Sequence, residues 1–334
     1  MKAIAPGKLI LSGEHAAVYG KPALAMAIDR SAVAEIAPAA DGQISFDLAD
    51  IAATDSFTER ALRDFRQRIQ RNYREFLDGR MGIRDVLRKP IDLFEYAFIM
   101  VLDGMHLKLD QGLGVRLRST IPIGCGLGSS AASILSMLRA TGHYFRVDFR
   151  PDWYYRYSLE AENLQHGHAS GVDSHISLYG GCARFQDGQA DRVPLPRKPL
   201  HLVDTGRPVT STGEAVEQVR RNWANDAIWS DFQGVTDTMT GAVRENRMED
   251  VAASIRENHR LLSRIGVVPQ RVQKFISEIE SRGGAAKVCG AGAVAGDAAG
   301  VVWVQSDAPV ADLLKVYGYS SFSVRGEPLG VRVV

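Results

Sequence analysis

Residues 122–132 read PIGCGLGSSAA and run straight into AASILSMLRATGHYF, a stretch with helical character. Glycines at every second position let the backbone turn where a Cβ would clash. A helix that starts directly after such a turn presents unpaired N–H groups and the positive end of its dipole. That arrangement suits an anion, phosphate above all. With the strand-like GLGVRLRSTIP leading in, the middle of the chain reads as strand, glycine loop and buried helix.

Two familiar phosphate loops do not fit. The GxxxxGK[ST] pattern is absent, because GKLI and GKPA lack the upstream spacing and the hydroxyl. GCGLGSS also fails the GxGxxG dinucleotide pattern, and it lies beyond residue 120 rather than in a first βαβ unit. Global properties narrow the partners. The formal net charge is +1, and the chain has no interleaved aromatic–basic motif, so nucleic acid is not expected. No apolar run approaches a membrane span of roughly 20 residues, and no membrane partner is expected. Cys125, Cys182 and Cys289 are odd in number and far apart, with no disulfide framework and no CxxC pair. They predict a reducing, cytoplasmic compartment.

The 334 residues suffice for about two domains. The start reads as sheet: KAIAPGKLILSG, AAVYGKPALAMAID, SAVAEIAPA and GQISFDL. Residues 57–78 are helical in period, with Leu62, Phe65, Ile69, Tyr73 and Phe76 on one face and arginines on the others. Those arginines read as a solvated face. Residues 90–105 and DWYYRYSLEAENLQHG read as helices, and HISLYGGCARFQDG as strand, turn, strand. Proline and basic residues in RVPLPRKP, 192–199, mark a boundary. Beyond it come a strand, LHLVDTG, and a helix in STGEAVEQVRRN with Ser211 or Thr212 as N-cap. Three helices follow near 225–245, 248–264 and 269–282, then a strand–loop–strand in AAKVCGAGAVAGDAAGVVWVQ.

APGKLILSGEHAAVYGKPALA, PIGCGLGSSAA and KVCGAGAVAGD occur in that order. Together they resemble the three motifs of the GHMP kinase superfamily. HGHASGVDSHISLYGG and DTGRPVTSTGEAVEQVR make the mevalonate kinase branch the nearest likeness. The resemblance implies an α+β, two-domain GHMP kinase fold. Its N-terminal domain, about 1–190, would be ribosomal-protein-S5-domain-2-like, and its C-terminal domain, about 196–334, ferredoxin-like. It implies ATP and Mg2+ as cofactors and a small hydroxy acid as substrate, and it allows a homodimer. The acceptor stays open: mevalonate comes first, with phosphomevalonate, homoserine or a sugar as alternatives. A non-catalytic ligand sensor on the same scaffold is a different class of reading.

Phosphoryl transfer needs positioning, charge neutralisation and a prepared hydroxyl. For the nucleotide the resemblance implies Pro122, Gly124, Gly126, Leu127, Gly128, Ser129, Ser130 and Ala131. For Mg2+ it implies Ser130, with Ser129 as a local alternative, and Glu162, eleven residues before Asp173, with Glu160 as rival. Asp173, in SGVD, would take or orient the acceptor proton. Lys8, in PGKLIL, would sit beside it and screen charge on the transferring phosphoryl. Glu14 and His15 would bind the acceptor, His15 on its carboxylate, with Gly292 and the Lys8–Asp173 pair alongside. His166, His168, Asp173 and His175 also admit a transition-metal reading, but the kinase pattern already accounts for this loop. The third motif departs from the pattern: Ala293, Val294 and Ala295 stand where glycines are usual, and Asp297 follows. This loop is expected to support the site at a greater distance, with Asp297 turned away from phosphate.

Overall fold

A computed structural model describes residues 1–334. In chain order, the first half runs β1 (Lys2–Ser12), β2 (Ala23–Ala39), β3 (Ile44–Leu48), β4 (Ala53–Phe57), α1 (Glu59–Leu77), α2 (Ile83–Val86), α3 (Asp92–Gly104), β5 (Gly112–Ser119), α4 (Ser129–Tyr144), α5 (Pro151–His166), α6 (Val172–Tyr179), β6 (Cys182–Gln186) and β7 (Gln189–Val193). The second half runs β8 (Leu200–Asp204), α7 (Thr212–Trp223), α8 (Ile228–Arg244), α9 (Met248–Arg264), α10 (Gln270–Ser281), β9 (Ala285–Val288), β10 (Val301–Gln305), α11 (Ala311–Tyr317), β11 (Ser320–Val324) and β12 (Arg332–Val333).

Two sheets organise these elements. The first has the order β12-β1-β2-β5-β3-β4, with β6 and β7 attached beside β2. The second has the order β11-β8-β10-β9 and is antiparallel throughout. The sequence offered two separate runs after the first strand. The second of these, with the end of the first, forms one 17-residue strand, β2. Its start pairs with β6 and its end with β5, so one edge serves two neighbours while the other pairs with β1. The last residues of the chain return to the first sheet, where β12 pairs with β1. Met239 and Ala242 of α8, Val251 and Ile255 of α9 and Trp303 of β10 share a continuous buried core with the first sheet. The two halves are therefore joined by apolar packing, not only by a linker.

Local rules account for most boundaries. Thr58 caps α1 by accepting from the Ala61 N–H. Leu62, Phe65 and Ile69 are buried as their spacing predicts. Arg63 and Arg66 pair with Asp103, so those arginines belong to the folded surface. Ser211 and Glu214 form a reciprocal capping box at α7. Two segments differ from their sequence reading: residues 16–19, read as sheet, form a short 3-10 helix, and residues 175–179 are helix, not strand. Gly171 takes a positive φ at the N-cap, Val172 and Ile176 bury one helical face, and Gly180 ends α6. Spacing by four outweighed the β-branched look of HISLY. No helix is long and apolar enough to cross a membrane.

Candidate active site

A cavity of about 1100 Å3 opens between the halves, lined by residues of all three glycine-bearing segments. Its floor begins at β1. The pairing of β1 with β2 slips between Pro6 and Gly7, and such a bulge re-aims the side chain that follows. Lys8 comes next. It is 3% exposed, its backbone N–H donates to Leu127 O at 2.9 Å, and its ammonium donates to Gly126 O at 3.0 Å. The same Nζ lies 3.2 Å from Asp173 Oδ1. One ammonium thus ties the glycine loop to the first turn of α6, and with three donors it keeps one N–H uncommitted.

Above Lys8 the glycine loop turns through Gly124, Gly126 and Gly128, all at positive φ. A Cβ on Gly126 would come within 2.6 Å of Cys289 O, so the loop fits only without side chains there. Gly128 is the N-cap of α4 and supplies no side-chain cap, which leaves first-turn N–H groups facing an anion site. Pro122, Gly124, Gly126, Leu127, Gly128, Ser129 and Ser130 line the cavity. Ala131 does not. It is fully buried in the core, so its share is limited to a backbone N–H of the first helical turn. Cys125 is 6% exposed, and burial pushes its thiol up to about 11. It packs rather than reacts.

The Ser130 hydroxyl meets the Glu162 carboxylate of α5 and lies 2.9 Å from the Gln165 side-chain oxygen. A hydroxyl has one proton, so with Glu162 accepting it, the Gln165 amide turns its N–H toward Ser130. Glu162 is 3% exposed, and its other oxygen lies 3.4 Å from His166 Nε2. Burial opposes a charge on His166, but Glu162 and then Asp173 outweigh it and raise the imidazole above its ordinary value. Glu160, the rival carboxylate, accepts from the Tyr96 hydroxyl at 2.6 Å and lines a different, smaller pocket. Ser130 and Glu162 are hard oxygens on facing helices, a donor set that fits Mg2+ completed by phosphate and water. The histidine loop does not converge. His168 stacks toward Phe76, and His175 packs among Tyr155, Tyr179 and Phe185. No three His, Cys, Asp or Glu side chains gather to hold a metal.

At the acceptor end, Glu14 and His15 both line the cavity. The Glu14 carboxylate is sealed, with Lys287 on one oxygen and Asn258 Nδ2 at 3.2 Å on the other. Both members of the Glu14–Lys287 pair are 0% exposed. Burial works against charge on Lys287, yet Cys289 and Glu14 more than reverse this and hold its pKa above the ordinary value. The Glu14 carboxylate therefore secures β9 to the end of β1, while the residue itself lies on the cavity wall. His15 is held by the protein as well. Its Nε2 lies 2.9 Å from Ala291 O. A carbonyl only accepts, so Nε2 carries the proton, and burial lowers the ring's pKa. The neutral ring presents Nδ1, which has no partner, as an acceptor for a hydroxyl. Gly292 lines the cavity at positive φ. Asp297 is not on the cavity wall; its charge is felt at Tyr319.

Sequence reasoning missed Lys287, Asn258 and Ser12. Ser12 Oγ donates to Asn258 Oδ1 at 2.7 Å and meets Thr236 Oγ1 at 2.8 Å, extending the sealed network into α8 and α9. Lys287 had one signal, its place just before the third glycine motif. Asn258 had none.

Residues 92–181, which hold the glycine loop, Glu162 and Asp173, match the GHMP kinases N terminal domain family. The chain is 30% identical over 297 residues to the mevalonate kinase of Archaeoglobus fulgidus, covering 87% of this chain and 89% of that protein. It is 28% identical over 305 residues to the mevalonate kinase of Thermococcus sibiricus, covering 87% and 86%. Its fold superimposes on the crystal structure of the Methanococcus jannaschii mevalonate kinase with a TM-score of 0.78 at 24% identity, over 98% of each chain.

Proposed function

The chain belongs to the mevalonate kinases of the GHMP kinase superfamily, and from that membership we propose that it transfers the γ-phosphoryl group of ATP to the 5-hydroxyl of mevalonate. The observation that carries the reading is the Lys8–Asp173 contact at 3.2 Å, placed under a glycine loop that opens a helix. In the proposed reaction the acceptor oxygen forms a bond to the γ-phosphorus while the bond from that phosphorus to the β,γ-bridging oxygen breaks. The acceptor proton passes to Asp173, and ADP leaves with the bridging oxygen. Lys8 holds Asp173 against the loop and turns its remaining N–H to the transferring group. Gly124–Ser130 and the first turn of α4 take the triphosphate on backbone N–H groups. Ser130 and Glu162 would hold Mg2+, which supplies neutralisation of triphosphate charge. The neutral His15 accepts from a hydroxyl of the acceptor.

A coupled ADP-release assay over mevalonate, phosphomevalonate, homoserine and galactose tests the reading. The expected result is turnover with mevalonate at least about 10²-fold above the others, a margin of about 2.7 kcal/mol in transition-state binding. Faster turnover with another acceptor would move the assignment within the superfamily, and no ADP release with any of them would remove it.

A further inference from the structure

The third glycine motif, Gly290–Asp297, commits two of its amides to neighbouring segments. The Ala293 N–H donates to Val267 O at 2.9 Å, and the Val294 N–H donates to Thr210 Oγ1 at 3.4 Å. Val209 covers Gly296, where a Cβ would come within 2.8 Å of its Cγ2. The segment between β8 and α7, residues 205–211, therefore straps this motif down. The same segment reaches the first glycine loop. Arg207 lies against Gly124, its Nε 3.2 Å from the position a Cβ would take there. The backbone beneath it is fixed: the Thr205 N–H donates to Gly300 O at 2.9 Å, the Gly300 N–H to Gly206 O at 3.1 Å, and the Gly206 N–H to Asp204 Oδ1 at 2.8 Å.

Arg207 is an exposed residue on the cavity wall. Of the other cations there, Lys8, Arg84 and Lys89 are paired with Asp173, Glu214 and Asp55. Arg88 is unpaired but belongs to the α2–α3 connection and not to a glycine loop. We propose that Arg207 binds the ATP triphosphate at the Gly124 end of the phosphate loop, its guanidinium standing in for the Ala293 and Val294 amides that are committed to Val267 and Thr210. A planar fork of donors suits phosphate oxygens and adds a full charge that amides lack. The inference rests on the kinase reading above.

The test is calorimetric titration of AMP-PNP, ADP and AMP into the wild type, Arg207→Ala and Arg207→Lys, without acceptor, followed by steady-state assays with mevalonate. Arg207→Ala is expected to weaken AMP-PNP about 10- to 100-fold, the scale of a lost charge-assisted hydrogen bond. AMP affinity and the KM for mevalonate should stay within about twofold, and Arg207→Lys should recover part of the loss because it keeps the charge without the fork. AMP-PNP affinity within about twofold of wild type in Arg207→Ala, or an equal loss for AMP, overturns the assignment. If the wild type turns over mevalonate while AMP-PNP binding ignores Arg207, only the Arg207 inference falls. If AMP-PNP binding depends on Arg207 and no acceptor is phosphorylated, the Arg207 inference stands and the activity reading falls.

Discussion

Lys8 and Glu14, six residues apart on the first strand and the turn after it, each belong to a lysine–carboxylate pair, and the two pairs live in opposite surroundings. In the Lys8–Asp173 pair the lysine is 4% exposed at its side chain and the aspartate 31%. In the Glu14–Lys287 pair both side chains are 0% exposed. The chemistry is the same and the access is not. A carboxylate that keeps one side open to the cavity is available to an acceptor proton. A carboxylate closed in by Lys287 and Asn258 has both oxygens engaged by the protein, and it fixes how the end of β1 meets β9 and α9. Desolvation decides what each is good for: charges fully removed from water need every lone pair and proton matched, and that leaves no capacity for a ligand.

The largest effect comes from breaking the open pair. Asp173→Asn and Lys8→Met are each expected to lower turnover by about 10²- to 10⁴-fold, the scale of a positioned acid or base. The double variant should be little worse than the poorer single, because each residue sets the other's function. Nucleotide binding should persist in Asp173→Asn, since the glycine loop and Glu162 lie outside the change. Independent losses that add fully in the double variant would separate the two residues and dissolve the pair as a unit.

Breaking the sealed pair should show in stability instead. Lys287→Met strands the Glu14 carboxylate in a site closed to solvent, at a cost of about 3–5 kcal/mol in urea unfolding. Glu14→Gln combined with Lys287→Met removes both charges and should return most of that loss. Loss of less than about 1 kcal/mol in the single variant, the range of solvated pairs, would mean that water reaches Glu14 and that the two pairs are not opposites after all.

The open pair was legible in the sequence and the sealed one was not, for a physical reason. Lys8 lies in PGKLIL and Asp173 in SGVD, stretches whose resemblance to the GHMP kinase motifs implies that the two meet. The same holds for Ser130, one residue into a helix capped by Gly128. Glu14 sits in an equally recognisable stretch, but its partner lies 273 residues away. Only the register of β9 and the packing of α9 decide that they meet. The tautomer of His15 was hidden in the same way, since Ala291 O, 276 residues away in sequence, sets it. The helix at 172–179 is a local miss: a pattern of period four was present in Val172 and Ile176 but was masked by the glycine pair that follows. Arg207 lies within DTGRPVTSTGEAVEQVR, but nothing in that stretch assigned the arginine a role. Its position is a product of how the second sheet is set against the first.

The smallest effect sharpens the comparison through pH. His259 follows Asn258 on α9 and is 9% exposed. Burial, then the charges of Arg260 and Lys287, push its pKa down to about 4. His166, beside the open pair, is moved the other way by Glu162. An imidazole with an unfolded value near 6.5 and a native value near 4 takes up a proton in the unfolded state first. Between those values the unfolded chain binds more protons, so stability is full above about pH 6.5 and falls as the pH drops toward 4. Below that both states are protonated and this contribution no longer changes. The expected loss is up to about 3 kcal/mol across the window. His175, pushed down to about 4 by burial alone, adds a second contribution of the same sign. His259→Gln should therefore flatten the acid limb of the stability profile only in part, and Lys287→Met should flatten it slightly by removing one of the charges that oppose protonation. Urea midpoints measured at half-unit steps from pH 7.5 to 4 would resolve both. A His259→Gln profile parallel to wild type would show that the sealed network leaves His259 free to protonate in the native state, and the contrast with His166 would not hold.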